Sequence, residues 1–208
     1  MPTPDFDLYL VTDRNETRGR DLLWVLEAAL DGGVKAIQLR EKNLGGGKLF
    51  FLAEAARKLT SNYHARLFIN DRIDVALAVD ADGVQLSTVS IPIETARGLV
   101  GGEKLLGVST HSLQQAEEAE RLGADFVLFG PVYFTPSKAP YGAPQGLAAL
   151  KKIVEKISLP IYAIGGIKPE NIAEARGTGS RGVALISAIM SAADPKDATK
   201  KILSLLNR

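Results

Sequence analysis

The chain has 208 residues, 46% of them hydrophobic, and 25 basic against 24 acidic side chains leave a formal charge of +1. This suits one substantial domain with a large core and excludes an extended disordered chain. The balanced charge argues against a nucleic-acid or anionic-membrane surface, and the lack of cysteine excludes disulfides, thiolate metal sites and cysteine nucleophiles.

In chain order, Pro2, Pro4, Asp5 and Asp7 come first, with neither a basic nor an apolar leader segment. No later run approaches a membrane span. The expectation is a soluble cytoplasmic protein with no membrane or nucleic-acid partner. The first strand is predicted at 8–12. A helix at 21–31 puts Leu22, Val25, Leu26 and Ala29 on one face. Strand 36–40 follows, then helix 48–59 with Leu49, Leu52, Ala55 and Ala56 together. Strand 66–69, a short helix at 73–79, strand 83–86 and a helix at 92–99 come next. The series continues with strand 105–109, helix 113–122, strand 126–129, helix 147–157, strand 161–164, helix 169–176, strand 182–186 and helix 196–206.

Short runs that are apolar throughout suit parallel strands buried on both faces. Strict alternation with helices implies right-handed crossovers. Eight strands, and no G-x-G-x-x-G after the first, favour a closed barrel over an open doubly wound sheet. The predicted class is α/β, a single (β/α)8 TIM barrel forming one domain over 1–208. The longest irregular stretch, 131–145, follows the sixth strand, where long loops are more often functional than idle.

Chemistry in such barrels collects at the C-terminal strand ends. There the second strand delivers Gln38, Arg40, Glu41 and Lys42, the third Asn70, Asp71 and Arg72, and the fifth Ser109, Thr110 and His111. The sixth leads to Thr135, Ser137 and Lys138, the seventh to Gly165 and Gly166, and the eighth to Ile186 and Ser187. Arg40, Lys42 and Lys138 suit an anion, and Asp71 is a hard oxygen ligand for Mg²⁺. Gly165–Gly166 and Ser187 suit a backbone phosphate site. Plainer roles stand beside these. Arg40 and Lys42 also read as ion-pair partners of Glu41, Asp71 as a helix N-cap, His111 as a loop anchor, and the two glycines as a turn.

The segments Gln38-Leu39-Arg40-Glu41-Lys42, Ile69-Asn70-Asp71-Arg72, Ala81-Asp82-Gly83-Val84 and Gly107-Val108-Ser109-Thr110-His111 resemble the thiamine phosphate synthase family. So do Gly123-Ala124-Asp125-Phe126, Gly130-Pro131-Val132-Tyr133 with Thr135 to Lys138, Ala163-Ile164-Gly165-Gly166-Ile167 and Val183 through Ile189. The match runs in order through essentially the whole chain. The superfamily also holds the TenI-like thiazole tautomerases.

The resemblance implies condensation of hydroxymethylpyrimidine diphosphate with thiazole phosphate, giving thiamine phosphate and pyrophosphate. It implies that Gln38, Arg40, Lys42 and Lys138 hold the diphosphate, that Asn70 and Ser109 meet the pyrimidine, and that Asp71 ligates Mg²⁺. It places Thr135, Ser137, Gly166, Ile186 and Ser187 around the thiazole phosphate. One departure stands out. The family's Gly-Val-His/Gln-Leu is usually followed by Gly-Gln-x-Asp, whose aspartate is a second Mg²⁺ ligand. Here the run is Gly83-Val84-Gln85-Leu86-Ser87-Thr88-Val89-Ser90, with Ser90 in that place. A hydroxyl is a poorer Mg²⁺ ligand than a carboxylate. The alternatives are a tautomerase using His111 as acid and base, or a non-catalytic barrel binding a thiamine precursor. Assembly into a homo-oligomer is left open.

Overall fold

A computed structural model describes residues 3–136 and 142–207. Its strands are β1 (Leu8–Val11), β2 (Ala36–Leu39), β3 (Arg66–Asn70), β4 (Gly83–Leu86), β5 (Leu105–Thr110), β6 (Phe126–Phe129), β7 (Ile161–Ile164) and β8 (Gly182–Leu185). Each pairs in parallel with its sequence neighbour, and β1 also pairs with β8, with Tyr9 opposite Ala184. The sheet therefore closes into the predicted (β/α)8 barrel, and the open doubly wound alternative falls. No described helix is long and apolar enough to cross a membrane.

Alternation along each strand separates two cores. Leu8, Leu10, Ile37, Leu39, Leu67, Ile69, Leu106 and Val108 face outward onto the helices. Tyr9, Val11, Ala36, Phe68, Leu105, Phe126, Leu128, Tyr162 and Ala184 fill the barrel with Phe6. The aromatic members touch mostly edge to face: Tyr9 and Phe68 lie 5.1 Å apart, Phe68 and Phe126 5.5 Å, and Phe126 and Tyr162 5.6 Å. Phe6 stacks on Tyr162 at 4.9 Å, and the Tyr162 hydroxyl donates to the Phe6 carbonyl at 2.7 Å. Glycines make room for these rings. A Cβ at Gly83 would meet the Phe68 ring at 2.7 Å, and one at Gly107 the Phe126 ring at 2.4 Å. The interior is a packed plug, so ligands meet the barrel only at its ends.

The helices are α1 (Leu22–Asp31), α2 (Gly46–Asn62), α3 (Ile73–Ala78), α4 (Ile93–Val100), α5 (Leu113–Arg121), α6 (Gly146–Val154), α7 (Ile172–Gly177), α8 (Ser187–Met190) and α9 (Pro195–Leu206). Asp21 caps α1 by accepting the Trp24 amide, Ser112 caps α5 and Asp194 caps α9. The helix expected from 169 starts at Ile172 because Asn171 takes the Lys168 amide at 2.8 Å and closes a turn first. A single 3₁₀ turn at Arg14–Glu16 was not expected, and the helical region that Ser187 opens is split into the short α8 and the separate α9.

Candidate active site

On β2 the inward series is Ala36, Gln38 and, two residues on, Arg40; on β3 it is Phe68 and Asn70; on β5 it is Leu105, Gly107 and Ser109. Gln85 sits opposite Asn70 and Gly107 on the neighbouring strands. A polar layer of Gln38, Asn70, Gln85 and Ser109 therefore lies above the aromatic plug, at the C-terminal ends of β2 to β5. Gln38 and Gln85 are each 1% exposed. Among the described residues, Gln38 Nε2, Gln85 Oε1 and the Tyr9 hydroxyl are buried with no hydrogen bond of good geometry. Burial raises the Tyr9 hydroxyl well above the ordinary phenol pKa, against a weaker opposing effect of the Gln38 amide beside it.

The Asp71 carboxylate is the most heavily hydrogen-bonded group at this rim. Oδ1 accepts from the Ser87 amide at 2.9 Å and from the Ser90 hydroxyl. Oδ2 accepts from Asn70 Nδ2 at 2.7 Å and from the Ser87 hydroxyl at 3.1 Å. Ser90 Oγ also accepts the Ser87 amide at 2.7 Å. The Asp71 backbone is left-handed, with φ +59, a conformation that costs a non-glycine residue energy and turns its carboxylate toward β4. This overturns the N-cap reading: Arg72 occupies the cap position of α3, and no side chain caps that helix. Ser90, in place of the expected aspartate, hydrogen-bonds Asp71.

The ion-pair reading of Arg40 and Lys42 also fails. Glu41, 7% exposed, accepts the Thr12 hydroxyl at 2.6 Å and the Arg14 amide at 3.3 Å, with the Arg14 guanidinium at 3.8 Å. Thr12 Oγ1 in turn accepts the Arg40 amide at 2.9 Å, which anchors the backbone while leaving the side chain uncommitted. Among the described residues, neither Arg40 nor Lys42 forms an ion pair. No three His, Cys, Asp or Glu side chains cluster for a metal there either.

His111 Nδ1 faces the Gly130 carbonyl, which only accepts, so Nδ1 carries the proton and Nε2 is the basic nitrogen of the neutral ring. Its amide donates to Gln115 Oε1 at 2.7 Å. The loop-anchor reading of His111 thus holds at Nδ1.

At the seventh strand, Gly165 and Gly166 have φ +92 and +66. On the side a Cβ would occupy, protein approaches them. A Cβ on Gly165 would lie 2.5 Å from Pro131 Cβ, and one on Gly166 2.6 Å from the Phe134 carbonyl. The Val132 amide donates to Ile164 O and the Tyr133 amide to Gly165 O, each at 2.9 Å. The glycine pair thus seats the loop after β6 against β7. Tyr133 reaches Glu174 at 3.2 Å, and burial together with that carboxylate pushes its hydroxyl up to about 12. Thr135 belongs to this loop, and Ile186 and Ser187 open α8. Ser137 and Lys138 lie outside the described residues.

Sequence reasoning passed over Thr12, Arg14 and Ser87. Thr12 closes the first predicted strand, and Ser87 stands three residues before Ser90. Polar residues just past a strand end were the available signal for both.

A family model described as thiamine monophosphate synthase matches residues 8–189. The chain is 52% identical over 206 residues to a Geobacter sulfurreducens protein named as a candidate thiamine-phosphate synthase, covering 99% of this chain and 97% of that one. It is 43% identical to the thiamine-phosphate synthase of Clostridium novyi, covering 97% and 98% of the two chains. Thiamine phosphate pyrophosphorylase from Pyrococcus furiosus superposes with a TM-score of 0.88 at 41% identity, covering 97% of this chain and 96% of that one. With that match over nearly its whole length, the chain belongs to the thiamine monophosphate synthase family.

Proposed function

We infer that this chain carries out thiamine phosphate synthesis, a transferase reaction, at the C-terminal rim of its barrel, with 1–208 acting as one domain. The family match and relatives named thiamine-phosphate synthase support the activity. One observation supports this site: Arg40 and Lys42 stand without a carboxylate partner among the described residues, beside an Asp71 held by four hydrogen bonds. Cations left unpaired on a rim are suited to a phosphorylated substrate.

The substrates are a phosphorylated pyrimidine and a phosphorylated thiazole. Arg40, Lys42 and Lys138, with the Gln38 amide, hold the pyrimidine's diphosphate. Breaking the methylene–oxygen bond sends its electron pair to the diphosphate, and the thiazole nitrogen bonds to the methylene carbon. The cations stabilise the charge gathering on the leaving group, where preorganised electrostatics contribute most. Asn70 gives its amide N–H to Asp71, so its Oδ1 is left to accept from the pyrimidine's amino group, and Ser109 meets the ring. Thr135, Ser137, Gly166, Ile186 and Ser187 surround the thiazole phosphate. Mg²⁺ fits the chemistry of this donor set once one of the Asp71 hydrogen bonds is given up, because Asp71 and the Ser87 and Ser90 hydroxyls are hard oxygens and one carboxylate plus substrate phosphate is a common Mg²⁺ environment. Asp71 would hold it, and bound there it would add positive charge beside the leaving diphosphate.

Incubation with both substrates and Mg²⁺ is expected to yield thiamine phosphate, and no product at high protein concentration rejects this reading. His111, whose Nε2 has no hydrogen-bond partner among the described residues, favours a second reading, proton transfer within a thiazole carboxylate phosphate. Metal-free isomerisation lost in His111→Ala supports that one, and unchanged isomerisation removes it. Turnover of either substrate set excludes the non-catalytic binder.

A further inference from the structure

Gln85 is a buried polar residue that the reaction has not yet used. Its Nε2 is 3.2 Å from Ser109 Oγ on the next strand and 3.4 Å from the Leu86 carbonyl. A carbonyl only accepts, so the end of the amide facing Leu86 is the NH₂ end. The same NH₂ faces Ser109, whose oxygen is therefore the acceptor in that pair. A hydroxyl that accepts from one partner keeps its own proton for another. Ser109 is partly exposed at the strand end, so that proton is available to a ligand on the rim.

One feature makes this arrangement costly to keep for packing alone. Gln85 Oε1 is buried with no hydrogen-bond partner among the described residues, and an unsatisfied buried acceptor destabilises a fold. A Cβ at position 107 would lie 2.3 Å from that oxygen and 2.4 Å from the Phe126 ring, so the glycine there makes room for both. An apolar side chain at 85 would leave no buried oxygen without a partner. What the amide supplies in return is the N–H directed at Ser109.

We propose that Gln85 is a positioning residue that makes Ser109 a hydrogen-bond donor, so that the pocket selects rings presenting an sp² nitrogen there. This rests on the pyrimidine lying over Ser109, as proposed above. It adds that the acceptor atom of the ring, and not its amino group, faces this strand.

The test is a double-mutant cycle on the full-length protein, reading KM for each substrate and kcat. Gln85→Met is expected to raise KM for the pyrimidine diphosphate about tenfold, the scale of one hydrogen bond, and to leave KM for the thiazole phosphate unchanged. In a Ser109→Ala background the same substitution adds nothing. Gln85→His, whose ring N–H also donates, restores the pyrimidine KM. A Gln85→Met penalty that persists in the Ser109→Ala background, or falls equally on both substrates, assigns Gln85 a structural role and overturns the proposal. If Gln85→Met does not fold, Gln85→Glu carries the test: its carboxylate accepts a hydrogen bond from the Ser109 hydroxyl, which then cannot donate to the ring, and raises pyrimidine KM only while Ser109 is present. An active Ser109→Ala with unchanged pyrimidine KM removes the placement of the ring, and the inference with it. A Ser109→Ala penalty without coupling to Gln85 removes the inference alone.

Discussion

The two ends of this barrel treat their charges in opposite ways. At the N-terminal end, cations are matched. Asp82 enters β4 with its carboxylate accepting the Leu67 amide of β3 at 2.7 Å and the Arg57 guanidinium of α2. Asp125 repeats the device before β6, accepting the Leu106 amide of β5 at 2.7 Å and the Arg97 guanidinium of α4. Each aspartate ties a strand start to the preceding strand and to a helix behind it. At the C-terminal end, Arg40 and Lys42 are unmatched among the described residues, Asp71 is left-handed, and two glutamines carry unsatisfied atoms. One end commits its arginines to holding strands, and the other leaves Arg40 and Lys42 without a carboxylate partner among the described residues, beside a strained Asp71. That contrast separates stability from chemistry within one fold.

Substitutions at the two ends should therefore fail in different assays. Arg40→Ala is expected to lower kcat by about 10²–10³-fold, the scale for losing one preorganised charge contact, with an unchanged melting temperature. A melting temperature that falls with activity would place Arg40 in the structural set. Asp125→Ala should do the reverse. It strands the mostly buried Arg97 and the Leu106 amide, costing about 3 kcal/mol in urea unfolding while the folded enzyme keeps its kcat. Full stability in that variant would dissolve the contrast from the other side. Ser90→Asp has a smaller effect that tests the rim alone. A second carboxylate beside Asp71 repels it without metal, so the melting temperature in chelator should fall. Mn²⁺, followed by its own resonance signal, should bind about tenfold more tightly than to the unaltered protein. Equal Mn²⁺ affinity in the two proteins would show that position 90 does not face the metal.

Much of this division was legible in sequence. The strands were read as apolar runs because both faces are buried, and the order of Gln38, Arg40, Asn70, Asp71 and Ser109 past their ends located the rim. What stayed hidden depends on neighbours across the barrel. That Glu41 belongs to Thr12 and Arg14 needs the β1–β2 pairing, and Arg40 and Lys42 beside it in sequence were the natural guess. The hold of Ser87 and Ser90 on Asp71 needs the left-handed turn at Asp71, which no periodicity signals. That the loop after β6 packs against Gly165 and Gly166 also needs the fold, because the glycine pair alone signals only a close approach. The 3₁₀ turn and α8 are three and four residues long, too short to display a helical period. The contact of Gln85 with Ser109 needs the β4–β5 pairing, and nothing in the Gly83–Leu86 run signals it.

The smallest effect belongs to the N-terminal end and carries a sign that checks the electrostatics there. Arg66 donates to both oxygens of Asp5, at 2.7 and 3.0 Å, tying the chain ahead of β1 to the start of β3. That hydrogen bond holds the Asp5 carboxyl below its ordinary value of 3.8, against a weaker opposing effect of burial. A carboxyl whose folded pKa is depressed stabilises the fold above its unfolded value and loses that contribution as pH falls through the folded one. The Asp5 side chain is 65% exposed, so solvent and salt screen the pair to less than about 1 kcal/mol. Asp5→Asn should therefore be slightly less stable than the unaltered protein at neutral pH, and the gap should close below pH 3.8. Added salt should narrow it as well, and kcat should not move, because the pair lies at the far end from the rim. A gap independent of pH and salt would mean that Asp5 acts through packing. A change in kcat would mean that the ends of the barrel are coupled through the aromatic plug between them, which Phe6, one residue after Asp5, helps to fill.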